Sequence, residues 1–272
     1  MFDIIKAVLF GVVQGITEFL PVSSSGHLLI LHDFFDLPIQ NELAFDVVLH
    51  LASLLAVLLF FRKDILELIN AFVDSLRGKK SDLSRTCWMI IVATIPAALA
   101  GVFLEDIIEN QLRSILIVAL MLVEVAVLFI IIENRKNKNN NGSYNNLSLA
   151  KAAKIGFAQA LALIPGTSRS GITIIAGISL GLKRDEAIKF SFLLSIPIIL
   201  GASATKIPSF LSDGFIDGQI TILISAFFAS FFSAFLTIKY FLKFAKNHTL
   251  IPFAYYRIFL AVLLVAFWYL GK

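Results

Sequence analysis

The chain holds one cysteine, Cys87, so it can form neither an intrachain disulfide nor a metal centre built from cysteines. Charge is scarce too. Asp, Glu, Lys and Arg make up 15% of the 272 residues, where a soluble domain carries roughly 25%. A surface that poor in charge cannot clothe a soluble globule. The small excess of basic residues, a formal +4, lies in loops between apolar runs. That is the pattern of topology signals, and it excludes a nucleic-acid partner. The first apolar run has no small-residue cleavage site behind it and leads into Glu18, so it is expected to be a membrane segment and not a cleaved leader.

What the sequence has is apolar length. Hydrophobic residues form 58% of it, and its mean hydropathy is +0.87. Six segments, 44–61, 87–104, 114–132, 188–206, 219–237 and 252–270, match the roughly 20 residues needed to cross a bilayer core. The fold class expected is an all-α polytopic membrane protein. Two further regions differ. Residues 4–36 and 155–182 each hold two short apolar stretches, broken by Pro21-Val-Ser-Ser-Ser-Gly-His27 and Pro165-Gly-Thr-Ser-Arg-Ser-Gly171. Non-helical backbone at membrane depth survives only inside protein or against a wet cavity. Both regions are therefore expected to be re-entrant helix–loop–helix hairpins.

The two breaks resemble each other. At an offset of 145, Gly11, Gln14, Ser23, Ser25, Gly26 and Ile30 match Gly156, Gln159, Ser168, Ser170, Gly171 and Ile175 without a gap. One hairpin plus three spans makes each repeat, and an odd number of crossings inverts the second relative to the first. The expected organisation is a single membrane domain: a first repeat over 1–132, a cytoplasmic linker over 133–154, and a second repeat over 155–272. Paired interrupted segments place a binding site at the repeat interface. With the N-terminus outside, 17 of the 23 Lys and Arg fall on the inner side, among them Arg62, Lys63, Arg77, Lys79, Lys80, Arg85, Arg135 and Lys154. Both termini are then external. The Asn- and Lys-rich stretch 134–146 is expected to be a flexible tether.

The chemistry sits in the breaks. Gln14 and Glu18 share a helix face just before Pro21, and Ser23, Ser24, Ser25 and His27 follow. A hydroxyl nucleophile needs a base and a group that orients it, and histidine is the usual base near neutral pH. Either Ser24 or His27 could attack, or Ser24 could orient a water; Glu18 would orient His27 or hold a metal ion. In the second break Arg169 lies at membrane depth, where arginine is costly and marks a site. Gly166 and Gly171 allow close backbone approach, while Thr167, Ser168, Ser170 and a helix N-terminus add donors. Arginine among such donors is a phosphate cradle. Asp46 and His50 lie one turn apart and either line the same cavity or pair with each other. Glu124 is mid-span. Arg257 is expected to snorkel from the end of the last span. A lipid with a phosphate or diphosphate head suits this set. A lipid-phosphate flippase or transporter is the competing class, since it would use the same architecture and the anion clamp.

Gln14-Gly-Ile-Thr-Glu-Phe-Leu-Pro-Val-Ser-Ser-Ser-Gly-His27 and Pro165-Gly-Thr-Ser-Arg-Ser-Gly171 resemble the two signature motifs of the bacterial undecaprenyl-diphosphatase (bacitracin-resistance) family. The resemblance extends over nearly the whole chain. It implies hydrolysis of undecaprenyl diphosphate to the monophosphate and inorganic phosphate, which recycles the peptidoglycan lipid carrier. It also implies dependence on a divalent cation, Mg or Ca, and an inner (plasma) membrane location with the active site opening outward. Carried over by motif position, Glu18, Ser24, His27 and Arg169 are the catalytic positions. Gln14, Ser23, Ser25, Gly166, Thr167, Ser168, Ser170 and Gly171 are the substrate-binding ones. The family's first motif begins with Glu or Gln; with Gln14 here, any metal must lean on Glu18 and the substrate phosphates. Membrane lipids are expected partners, and a homodimer is kept open. Ser25-Gly26-His27 and Ser168-Arg169 also look superficially like motifs of the type 2 phosphatidic-acid phosphatases. That class needs a histidine where this chain has Ile175, and an upstream basic-Pro motif that is missing.

Overall fold

The computed structural model describes residues 2–104, 107–108, 111–135, 141–212 and 218–271, with the side chains of 209–212 left aside. The elements among them are helical: α1 (Phe2–Phe19), α2 (Ser24–Phe34), α3 (Glu42–Phe60), α4 (Arg62–Leu76), α5 (Asp82–Phe103), α6 (Ile115–Asn134), a short 3-10 turn (Tyr144–Asn146), α7 (Leu149–Leu161), α8 (Arg169–Ser179), α9 (Arg184–Ser212), α10 (Gln219–Asn247) and α11 (Ile251–Leu270). Six of them, α3, α5, α6, α9, α10 and α11, are long and apolar enough to cross a membrane. They fall on the six segments expected from hydropathy.

Local chemistry explains where these helices start. Asn41 caps α3 by accepting from Ala44 N at 3.0 Å, and Ser81 with Ser84 forms a reciprocal box at the head of α5. Pro21 and Pro165 supply no amide hydrogen, and each lies where a helix has stopped. Helix α2 and helix α8 have 11 residues each, about 16 Å at the usual rise, too short to cross 30 Å of hydrocarbon.

The helices after the two breaks start in the same way. Ser23 and Ser168 both adopt positive φ, 75° and 70°, and are the only non-glycine residues to do so among those described. Each caps the helix that follows, Ser23 Oγ accepting from Gly26 N and Ser168 Oγ from Gly171 N. Each also lies near the hydroxyl two residues on, at 3.3 Å from Ser25 Oγ and 3.2 Å from Ser170 Oγ. Backbone this strained costs about 1–3 kcal/mol and persists only when its surroundings over-determine it.

The packing partners are crossed between the halves. Helix α1 lies against α10, and α7 lies against α5. Both contacts pass through glycine: a Cβ on Gly11 would meet Ala226 O at 2.2 Å, and one on Gly156 would meet Ala93 O at 2.6 Å. Small residues let helix backbones approach this closely. The pairs α3 with α9 and α6 with α11 bring corresponding spans of the two halves together.

Two expectations change. The basic loop after α3 is a helix, α4, capped by a turn at Gly78 (φ 85°). The linker is not a free tether over its described part. Ser143 Oγ and Tyr144 N donate to Glu186 Oε2 at 2.5 and 3.2 Å, Thr86 Oγ1 donates to Asn145 Oδ1 at 2.8 Å, and Leu147 is buried. Residues 136–140, also assigned to that tether, lie outside the described residues.

Candidate active site

Helix α1 ends at Glu18's turn and α8 begins at Arg169, so the two charged side chains project from opposite breaks toward one point. Arg169 Nη2 donates to Glu18 Oε1 at 2.7 Å. Ser24 Oγ donates to Glu18 Oε2 at 2.8 Å, and Gln14 Nε2 donates to the same oxygen at 3.1 Å. His50 Nδ1 lies 3.0 Å from Glu18 Oε2 and 2.6 Å from Gln14 Nε2. A carboxylate so buried needs such partners, since an unpaired one would be far too costly. Arg169 also donates through Nη1 to the Ser191 carbonyl at 3.0 Å. A guanidinium has five N–H donors, so donors remain for a ligand.

Behind this cluster, Arg257 ties the two breaks together. It is fully buried and donates to the carbonyls of Pro21, Gly166 and Thr167 at 3.3, 3.0 and 3.1 Å, and to those of Leu122 and Met121. It does not snorkel. Its place in the apolar span 252–270 hid that role, because the carbonyls it satisfies come from residues far away in sequence. The breaks also bond directly: Ser170 Oγ donates to the Leu20 carbonyl and Gly166 N to Ser25 Oγ. Gly166 is at φ 94°, with a Cβ position only 2.5 Å from Val118 O, so only glycine fits there.

In front of the cluster is a cavity of about 190 Å³ lined by Glu18, Ser24, Ser25, His50, Ser168 and Arg169, with apolar walls from α5 and α9 such as Ala97, Ile198 and Ile199. Of the expected positions, the structure brings Glu18, Ser24 and Arg169 together here, with Ser25 and Ser168 beside them. Ser23, Thr167 and Ser170 are buried, and with Gly166 and Gly171 they build the breaks and do not line the cavity.

His27 departs from expectation. Its Nδ1 bonds the Ser23 carbonyl at 2.7 Å, so Nδ1 is the donor. Nε2 then accepts from Tyr256 Oη at 2.7 Å, and the two rings are parallel. Both ring nitrogens are occupied away from Glu18. The residue that meets Glu18 is His50, from α3. Asp46 does not pair with His50 but with His32, at 2.9 Å.

The residues present give a divalent cation few protein ligands. Among the described residues no group of three or more His, Cys, Asp or Glu side chains is placed to hold a metal ion. The cavity offers the carboxylate of Glu18, and Gln14 Oε1 is buried without a hydrogen-bond partner. That set does not make a protein cage. It fits the mode in which a small hard cation takes one carboxylate and completes its shell with substrate phosphates and water.

The family model described as bacitracin resistance protein BacA matches residues 7–263. The chain belongs to this family. It is 44% identical over 272 residues to the undecaprenyl-diphosphatase of Rubrobacter xylanophilus, covering 98% of each chain. It is 42% identical over 267 residues to that of Saccharophagus degradans, covering 97% of this chain and 98% of the relative. The undecaprenyl-diphosphatase of Methanobrevibacter smithii is 40% identical over 264 residues, 93% of this chain and 94% of the relative. With six apolar helices, this member of the BacA family is a multi-pass membrane protein.

Proposed function

We propose that the chain is an undecaprenyl-diphosphate phosphatase, which releases inorganic phosphate from the lipid diphosphate and returns the monophosphate carrier to peptidoglycan synthesis. One observation carries the reading: Ser24 Oγ, Glu18 and Arg169 meet within 2.8 Å contacts across the two breaks, in a cavity that also has an apolar wall of Val47, Ala97, Leu163, Ile198 and Ile199. A diphosphate head on a prenyl chain has both characters. In such a step the free N–H donors of Arg169 take the phosphate oxygens, which compete with Glu18 for the guanidinium. A carboxylate that loses a cation takes a proton more readily. Glu18 accepts the Ser24 proton as Oγ attacks the terminal phosphorus. The bond to the bridging oxygen breaks, and polyprenyl phosphate leaves. Water then frees phosphate from Ser24. His50 holds Glu18 in place, and His27 holds the Ser23 carbonyl and so the shape of the break beside Ser24. A divalent cation, Mg or Ca, would be held mainly by substrate oxygens, with Glu18 Oε1 and Gln14 Oε1 beside it, and would neutralise phosphate charge, while Glu18 Oε2, bonded to Ser24, takes the proton.

The finer architecture belongs to the same proposal: two re-entrant hairpins, 4–36 and 155–182, in an inverted repeat. It is supported by the twin caps at Ser23 and Ser168, and by the crossed packing of α1 on α10 and α7 on α5. The bias of basic residues supports a cytoplasmic 133–154 and external termini; the resemblance to the family supports a plasma-membrane location with the cavity opening outward. A flippase would need Arg169 but would not need a serine hydroxyl bonded to Glu18. The deciding experiment is phosphate release by the purified protein from a C55 diphosphate. Absence of release under conditions where the protein binds that lipid would move the assignment to a transporter.

A further inference from the structure

Sharing no lining residue with the catalytic cavity, a groove of about 800 Å³ lies against the heads of α5 and α7 and the end of α4. Arg85, Trp88, Met89 and Val92 line it from α5, at helical spacings of three, four and seven, which is one stripe of the helix. The stripe begins cationic, passes an aromatic ring and ends apolar. Seven residues of helix cover about 10 Å, enough to run from the headgroup layer, roughly 5–8 Å thick on each side, into the hydrocarbon. Leu149, exposed at the head of α7, forms part of the apolar wall.

The cations at the mouth are available. The turn at Gly78 ties Lys79 to Asp74 at 3.2 Å, whereas Lys80 and Arg85 are exposed and their side chains make no hydrogen bond or ion pair among the described residues. Asp82 also lines the mouth, in the first turn of α5, where a carboxylate suits the helix dipole. Two cations against one carboxylate match a single negative charge better than two. Trp88 packs on Phe72 with ring centroids 5.4 Å apart and stays 41% exposed, as tryptophan does at a membrane–water boundary.

We propose that this groove is a binding site for a monoanionic glycerophospholipid, whose phosphodiester sits between Lys80 and Arg85 and whose acyl chain runs past Trp88 onto Met89 and Val92. The site is separate from the cavity of Glu18 and Arg169, and its ligand is a phosphodiester lipid and not the phosphomonoester or diphosphate of the catalytic reading. Basic residues near a membrane surface each strengthen the hold on an anionic lipid about fivefold.

The test uses Trp88 itself. With Trp268→Phe, Trp88 is the one remaining tryptophan of the full chain. The purified protein in neutral detergent is titrated with phosphatidylglycerol and with phosphatidylcholine, both carrying brominated acyl chains. The expected result is saturable quenching by phosphatidylglycerol at concentrations roughly 25-fold below those phosphatidylcholine needs. Lys80→Gln with Arg85→Gln should erase that preference and leave phosphate release unchanged. Should the double variant unfold, seen as a red-shifted Trp88 emission, Lys80→Gln alone should narrow the preference by about fivefold. Equal quenching by the two lipids, a preference that survives the double substitution, or displacement of the lipid by equimolar inorganic phosphate would each overturn the proposal.

Discussion

Arg169→Lys keeps a positive charge in the cavity and removes the planar fork. In the structure that fork reaches two groups at once, Glu18 Oε1 at 2.7 Å and the Ser191 carbonyl at 3.0 Å. An ammonium on a flexible stem cannot hold both in that geometry and still face a phosphate. Loss of one hydrogen bond to a charged group should cost about 1.5–3 kcal/mol of stability. Loss of one preorganised donor to the transferring phosphoryl group should cost on the order of 10²–10³ in turnover. Arg169→Ala goes further. It leaves a nearly buried carboxylate short of its cation, for about 3–5 kcal/mol. The structural and catalytic parts separate in a cycle with Glu18→Gln. If Arg169 served only as a partner for Glu18, then Arg169→Lys made on Glu18→Gln should leave the melting temperature nearly unmoved. Turnover and melting in detergent are measured on all four proteins. A folded Arg169→Lys protein that releases phosphate at the wild-type rate would refute the clamp.

Other expectations follow from the same contacts. Ser24→Ala should lose nearly all turnover and keep its melting temperature, because Ser24 is only half-buried and its one side-chain bond goes to Glu18; normal turnover would hand the attack to water. Arg257→Lys should lower the melting temperature and the yield more than any substitution in the cavity, since one guanidinium serves carbonyls from both breaks and α6; a stable, active variant would show that the breaks hold without it. Chelation should stop phosphate release but leave the melting temperature of the substrate-free protein unchanged, because the described residues form no cage for the ion; a large drop in melting temperature would reveal a structural metal. Asn140→Cys, in a protein with Cys87→Ala, should resist an impermeant thiol reagent in intact cells, and prompt labelling would reverse the orientation.

The sequence alone determined the membrane class, the six spans and the two breaks. Each of these depends on local quantities: apolar run length, proline position and the spacing of polar residues along one helix. Its short motifs also pointed to Glu18, Ser24 and Arg169, since ionisable groups at membrane depth have few uses other than function and Ser24 lies in the same break as Glu18 and His27. Only the tertiary structure decided which side chains meet. His50, some thirty residues from Glu18, takes the place assigned to His27, because α3 packs against α1. Arg257 reads as a helix-end arginine until the backbone carbonyls of Pro21, Gly166 and Thr167 converge on it. The described end of the linker reads as a polar tether until Glu186 arrives to receive Ser143 and Tyr144. In each case the deciding term is a buried or half-buried polar group that must find a partner. Such a partner can come from any distance along the chain, so no pattern in a local window of sequence could have named it.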